Sequence, residues 1–144
     1  MIGYFDTSAF VPLLIAEPGS AFCRRFWDSS DAVVTSRLLY VETAAALAQA
    51  LRLGRLVRRD HRAALGLLDQ MWAEFEVVEA DSIVVDRAAE LTHSESLRGY
   101  DAVHCASAEQ VDDDDLVLAS GDRALMAACA RLGMSTADTN GRTA

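Results

Sequence analysis

The chain has 144 residues, 51% of them apolar, and a formal net charge of −9 at neutral pH. Such a length and apolar share suit one compact domain with a real core and exclude a disordered chain. The acidic balance argues against a protein that holds nucleic acid by bulk electrostatics alone.

Ile2 to Phe5 reads as a short buried strand ended by Asp6. Thr7 or Ser8 is placed to cap a helix running through Phe10 to Leu14. Pro18-Gly19-Ser20 breaks the chain and restarts a helix with Phe22, Cys23, Phe26 and Trp27 on its apolar side. Ala32-Val33-Val34 is a second strand. Ser36 then caps a long helix to about Leu53, stopped by Gly54. A further helix covers roughly Arg59 to Ala73, with Ala64, Leu65, Leu68 and Trp72 at helical spacing.

Phe75 to Val78 is a third strand. Asp81 or Ser82 caps the next helix, which carries Val84, Val85, Ala88 and Leu91. Gly99 separates it from a helix starting near Asp101. Leu116 to Ala119 is a fourth strand, after the solvated acidic turn Asp112 to Asp115. Asp122 to Leu132 is helical and Gly133 stops it; Met134 to Thr136 is a last edge strand. Strands and helices alternate throughout. The expectation is an α/β fold of three layers, a mostly parallel sheet of four to five strands flanked by helices. One domain is expected over residues 1–137, with a flexible tail over 138–144.

Four carboxylates interrupt this pattern where a charge is expensive: Asp6, Glu42, Asp101 and Asp122. Each sits in or beside an apolar or small-residue run. Buried carboxylates shift their pKa or share a cation. Asp6 ends the first strand, Asp122 follows the fourth, and Asp101 begins a helix. In an open parallel sheet these positions face one rim. Glu42 is expected on a stripe with Leu38, Leu39, Ala45, Ala46 and Gln49, facing the sheet. Taken singly, Asp6, Asp101 and Asp122 also fit helix capping. Taken together, with no obvious basic partner, they suggest a pocket for a hard divalent ion, Mg²⁺ or Mn²⁺. Such an ion suits phosphoryl chemistry. Ser8 and Ser120 are candidates to orient the carboxylates, with turn bonding as the alternative.

All 13 basic residues are Arg, which excludes any mechanism requiring Lys. Arg98 and Arg123 flank two of the acids and are candidates for touching phosphate or for pairing with their neighbours. Arg52, Arg55, Arg58, Arg59 and Arg62 form one basic cluster, read either as an RNA-backbone contact or as a solvated helix end. His104 lies three residues after Asp101, as a base or as a hydrogen-bonded core histidine. Cys23, Cys105 and Cys129 make no C-x-x-C pair, so a thiolate metal site is not expected. They read as buried thiols in a reducing compartment. Nothing approaches a membrane-spanning length, and a cytoplasmic protein is expected.

The residues resemble the PIN-domain ribonucleases, and within them the VapC-type toxins of toxin–antitoxin pairs. The resemblance lies in Tyr4-Phe5-Asp6-Thr7-Ser8-Ala9, then Ala16-Glu17-Pro18-Gly19-Ser20, then Ser36-Arg37 through Val41-Glu42 to Ala46-Leu47-Ala48. It continues in Leu97-Arg98-Gly99-Tyr100-Asp101-Ala102-Val103-His104-Cys105-Ala106-Ser107-Ala108 and Ala119-Ser120-Gly121-Asp122-Arg123-Ala124-Leu125. It implies a metal-dependent endoribonuclease acting on tRNA or ribosomal RNA. It also implies Asp6, Glu42, Asp101 and Asp122 as the acidic cluster, a homodimer and a cognate antitoxin.

Two other classes compete. A non-catalytic PIN-like module binding RNA or protein would keep the fold without turnover. A phosphotransfer α/β protein also places acids at strand ends. It needs a Lys, however, and its phosphatase form needs an Asp where Ser8 stands.

Overall fold

The structure, a computed structural model, describes residues 1–141. Among them, five strands form one wholly parallel sheet: β1 (Ile2–Phe5), β2 (Ala32–Ser36), β3 (Glu76–Val78), β4 (Leu116–Ser120) and β5 (Ser135–Asp138). Their spatial order is β3-β2-β1-β4-β5. The helices are α1 (Thr7–Phe10), α2 (Ser20–Ser29), α3 (Leu39–Arg52), α4 (Arg58–Trp72), α5 (Ser82–Ser94), α6 (Gly99–Val111) and α7 (Arg123–Arg131). None is long and apolar enough to cross a membrane.

Side chains alternate across a strand, and this assigns the two cores. Tyr4, Val34, Leu116 and Leu118 pack with Val84, Leu91, Ala102, Cys105 and Leu125 of α5, α6 and α7. Phe5, Val33 and Ala119 pack with Phe10, Phe26, Leu39, Leu68 and Met71 of α1 to α4. Burying a side chain such as Leu118 or Leu68 completely contributes about 1.5–3 kcal/mol. The result is the expected three layers, helices–sheet–helices. All three cysteines are free and buried, with the Cys105 and Cys129 sulfurs 3.6 Å apart between α6 and α7.

Local chemistry moves several expected boundaries. The helix after Asp6 is only one turn, followed by a 3-10 turn over Val11–Leu13. Pro12 brings no N–H, so a longer α-helix would lose a rung there. The cap is Asp6 itself, which accepts from Ala9 N, and not Thr7 or Ser8. Gly54, at φ +76°, ends α3 as expected. β5 runs to Asp138, two residues past the expected Thr136, because Thr139 N–H donates to Ser120 O and extends the ladder. Thr139 is buried. Residues 142–144 of the expected tail lie outside the described residues.

The topology fixes where the acids meet. Chain order runs outward from β1 through β2 to β3 on one side and from β4 to β5 on the other. It reverses between β1 and β4, where Phe5 pairs with Ala119. Asp6 and Ser120 therefore emerge side by side at the carboxyl ends, where such sheets gather ligands.

Candidate functional site

Asp6 is 4% exposed and holds three donors. Its Oδ1 accepts from Ser8 Oγ at 2.7 Å and from Ala9 N at 3.0 Å, and its Oδ2 accepts from Ser120 Oγ at 2.7 Å. Burial holds the Asp6 carboxyl above the ordinary carboxylate range; the Ser120, Ser8 and Ala9 donors pull it back. Both serines are tied in turn. Ser8 Oγ accepts from Gly121 N at 2.8 Å and Ser120 Oγ from Asp122 N at 2.9 Å. The turn after β4 is thus stitched to the start of α1.

Asp122 caps α7, its Oδ1 accepting from Leu125 N at 3.0 Å. Its Oδ2 accepts from Arg98 Nη2 at 3.1 Å, while Arg98 Nε donates to Asp101 Oδ2 at 3.0 Å. One guanidinium, its side chain 81% exposed, therefore bridges two of the four acids. Asp101 lies in the first turn of α6 and is not its cap; Arg98 holds that position. Arg123 is exposed at the first residue of α7 and makes no ion pair among the described residues.

Glu42 sits in the first turn of α3. The buried stripe of that helix is Leu39, Thr43, Leu47 and Ala50, not the expected one through Ala45 and Gln49. Leu39 and Leu47 remove more apolar area from water than Ala45 and Gln49 would, so they set the rotation. Glu42 is left at the stripe's edge, partly exposed. Its Oε1 accepts from His104 Nε2 at 2.8 Å, and the other ring nitrogen of His104 meets Tyr4 Oη at 2.9 Å.

Glu42 and Asp101 line one cleft of about 630 Å³ between α3, α5 and α6, with Leu38, Val85, Arg98 and Tyr100. Asp122 borders a second depression with Ser8, Gly19 and Thr139. The basic residues from Arg52 to Arg62 line neither; they stand at the α3–α4 turn. The sequence suggested acids without basic partners. The structure instead supplies Arg98 and His104. Among the described residues, no three His, Cys, Asp or Glu side chains are arranged to hold a metal ion. The donors are nonetheless all carboxylate oxygens at one rim, and a protein cation already lies across two of them. That chemistry fits a hard cation.

Tyr4 is the site residue that sequence reasoning missed. A tyrosine in a four-residue apolar strand reads as core. Only its polar tip, which must find a partner when buried, signals more.

Comparison with known proteins identifies the family and the fold. A family model described as PIN domain matches residues 3–132. Ribonuclease VapC45 of Mycobacterium tuberculosis (strain CDC 1551 / Oshkosh) is 44% identical over 122 residues, which is 85% of each chain. The crystal structure of PAE2754 from Pyrobaculum aerophilum superposes with a TM-score of 0.71 at 26% identity, covering 94% of this chain and 89% of that one. Mycobacterium tuberculosis VapC20, described as a sarcin-ricin loop cleaving toxin, gives a TM-score of 0.68 at 21% identity. That match covers 88% of this chain and 94% of that one, a likeness of fold.

Proposed function

The chain belongs to the PIN domain family, and from that premise we propose that it is a Mg²⁺- or Mn²⁺-dependent endoribonuclease, the toxin of a type II toxin–antitoxin pair. One observation carries the reading. The acids are linked in series: Ser120 ties Asp6 to Asp122, the Arg98 guanidinium is a cation shared by Asp122 and Asp101, and Glu42 lines the cleft of Asp101. Kinship with a protein named a ribonuclease, at 44% identity, points the same way.

Asp6, Glu42, Asp101 and Asp122 would hold the ion. When bound, it supplies a water of lowered pKa and neutralises charge on a phosphate oxygen. The chain's own residues do the remaining work. Ser8, Ser120 and the Ala9 N–H fix the Asp6 carboxylate in place. Arg98, on its exposed stem, leaves Asp101 and Asp122 and forks onto the RNA phosphate. Arg123, exposed beside Asp122, offers a second contact.

The substrate is a tRNA or ribosomal RNA, engaged over this small patch, as an acidic surface requires. The antitoxin complements the −9 charge with a basic segment and covers the acids. The protein acts in the cytoplasm as a homodimer, and its nuclease domain, expected over residues 1–137, extends through Asp138 of β5 and the buried Thr139. The test is cleavage of total tRNA with and without Mg²⁺ or Mn²⁺, for the wild type and Asp6→Ala. Metal-dependent products from the wild type alone support the reading. Cleavage by both proteins points to another site or a contaminant. RNA retained without products favours the PIN-like binding module.

A further inference from the structure

We infer that Tyr4 and His104 are positioning residues that aim Glu42, through a directed hydrogen-bond line running from the middle of the sheet to the acidic cleft. The inference rests on the reading above in one respect only: Glu42 is taken to receive a cation.

The line is Tyr4 Oη to His104 Nδ1, 2.9 Å, then His104 Nε2 to Glu42 Oε1, 2.8 Å. It starts on β1, passes through α6 and ends on α3, linking residues 100 and 62 positions apart. Tyr4 is fully buried and His104 is 1% exposed. Their rings meet edge to face, centroids 5.9 Å apart. Val34, Leu118, Ala102 and Cys105 share the apolar core with Tyr4, and the buried Ser107 hydroxyl is the other polar neighbour of the Tyr4 hydroxyl. Polar groups laid through such a core cost stability unless each finds its partner, and here each does.

The line has one direction. A carboxylate only accepts, so His104 Nε2 must carry the proton that faces Glu42. In the neutral ring Nδ1 is then a lone pair, and the Tyr4 hydroxyl donates to it. With the opposite tautomer, a nitrogen lone pair would face Glu42 Oε1 across 2.8 Å. Glu42 therefore selects the tautomer, and the Tyr4 hydroxyl, by donating to Nδ1, satisfies the buried lone pair and anchors the ring that holds the carboxylate. Second partners of this kind orient metal-binding groups elsewhere.

His104 is not a base for the substrate. Both its nitrogens are engaged, and its ring is sealed beneath Glu42. With Oε1 committed inward, Oε2 is the oxygen Glu42 has for a cation in the cleft it shares with Asp101.

The experiment compares wild type, Tyr4→Phe, His104→Gln and His104→Leu. Three readouts are taken: the imidazole ¹H–¹⁵N long-range spectrum, Mn²⁺ binding by electron paramagnetic resonance, and the split of RNA cleavage into kcat and KM. In the wild type, His104 should show the proton on Nε2. Tyr4→Phe, which keeps the ring, should strand the Nδ1 lone pair, loosen the imidazole and weaken Mn²⁺ binding about 10–100-fold. It should lower kcat and leave KM for RNA unchanged. His104→Gln restores an N–H donor toward Glu42 and should recover Mn²⁺ binding that His104→Leu loses. A wild-type ring protonated on Nδ1 overturns the inference. So does equal Mn²⁺ binding by the wild type and folded Tyr4→Phe. A His104→Leu protein that fails to fold leaves the Tyr4→Phe and His104→Gln comparisons to decide. Wild type that binds no Mn²⁺ and cleaves no RNA defeats the proposed function instead, and the imidazole spectrum then decides the hydrogen-bond line alone.

Discussion

Asp6 and Ser120, 114 residues apart in the chain, are joined by a 2.7 Å hydrogen bond across the point where the sheet's strand order reverses. Ser120 Oγ donates to Asp6 Oδ2 and accepts from Asp122 N, so a single hydroxyl sets the spacing of two acids. Ser120→Ala leaves the buried Asp6 carboxylate with two donors in place of three. The expected cost is about 1–3 kcal/mol of stability, the penalty for stranding a buried polar group. Cleavage should fall about 10–100-fold, as when other supports of metal-binding groups are removed. Urea unfolding and initial cleavage rates on one preparation measure both. Unchanged cleavage by a destabilised but folded variant would leave the bond a role in folding only.

Asp6 carries a stability cost that pH should reveal. Burial raises its folded pKa above the unfolded value, so the folded state takes up a proton first as pH falls. The charged carboxylate therefore destabilises the fold above the folded pKa, and that cost fades as pH drops through it. Asp6→Asn removes the charge and keeps an acceptor for Ser8 and Ala9 N. Its new N–H groups can donate to Ser120 Oγ, whose own proton can turn toward Ser8 Oγ, 3.4 Å away. In metal-free buffer Asp6→Asn should melt above the wild type at neutral pH. The gap should close on acidification, because ion pairs such as Arg98–Asp101 weaken equally in both proteins. A gap that widens as pH falls would mean that Asp6 is stabilised as the anion.

The strand ends were legible because Ile2–Phe5 and Leu116–Ser120 are short apolar runs halted by a polar residue. The parallel sheet followed from the alternation of strands with helices, and the rim position of Asp6 and Asp122 followed from the sheet. Partnerships across the chain were less accessible. Arg98 and Asp101 are three residues apart on one turn, a spacing that suggests contact. Arg98 and Asp122 are 24 apart, and only the packing of α6 beside α7 joins them. The rotation of α3 was misjudged because Ala45, Ala46 and Gln49 fit a helical stripe as well as Leu39, Thr43 and Leu47 do. The choice between them depends on what the opposing layer offers. Tyr4 stayed hidden for the same reason, since its partner lies 100 residues away.

Gly3 tests the fold apart from the acids. A Cβ there would press on the Ser30 hydroxyl and come within 2.9 Å of Phe26 Cε1. The Ser30 hydroxyl is already bonded to Phe26 O at 2.8 Å. Gly3→Ala should therefore push α2 off the sheet at the start of β1, at a cost of about 1–3 kcal/mol for overpacking. Calorimetry should show a lowered melting temperature. The Mn²⁺ affinity of the folded protein should stay unchanged, since Gly3 touches none of the four acids. Melting at the wild-type temperature would show that the α2–β1 contact yields without strain.

Arg98 answers two demands of opposite sign, and Arg98→Ala separates them. Without bound RNA, the guanidinium neutralises Asp101 and Asp122 and competes with any cation for their oxygens. Its loss should tighten Mn²⁺ binding, because two like charges at the rim are left to be satisfied by the ion alone. On the proposed reading the same side chain forks onto phosphate when RNA binds, so its loss should raise KM and flatten the dependence of KM on salt. An exposed pair contributes little to folding, so the melting temperature of the metal-free protein should hardly move. Titration with Mn²⁺ and cleavage at two salt concentrations read the two demands independently. Weaker Mn²⁺ binding by Arg98→Ala would mean that the guanidinium organises the carboxylates and does not stand in for the ion. Unaltered KM and salt response would remove Arg98 from the RNA contact.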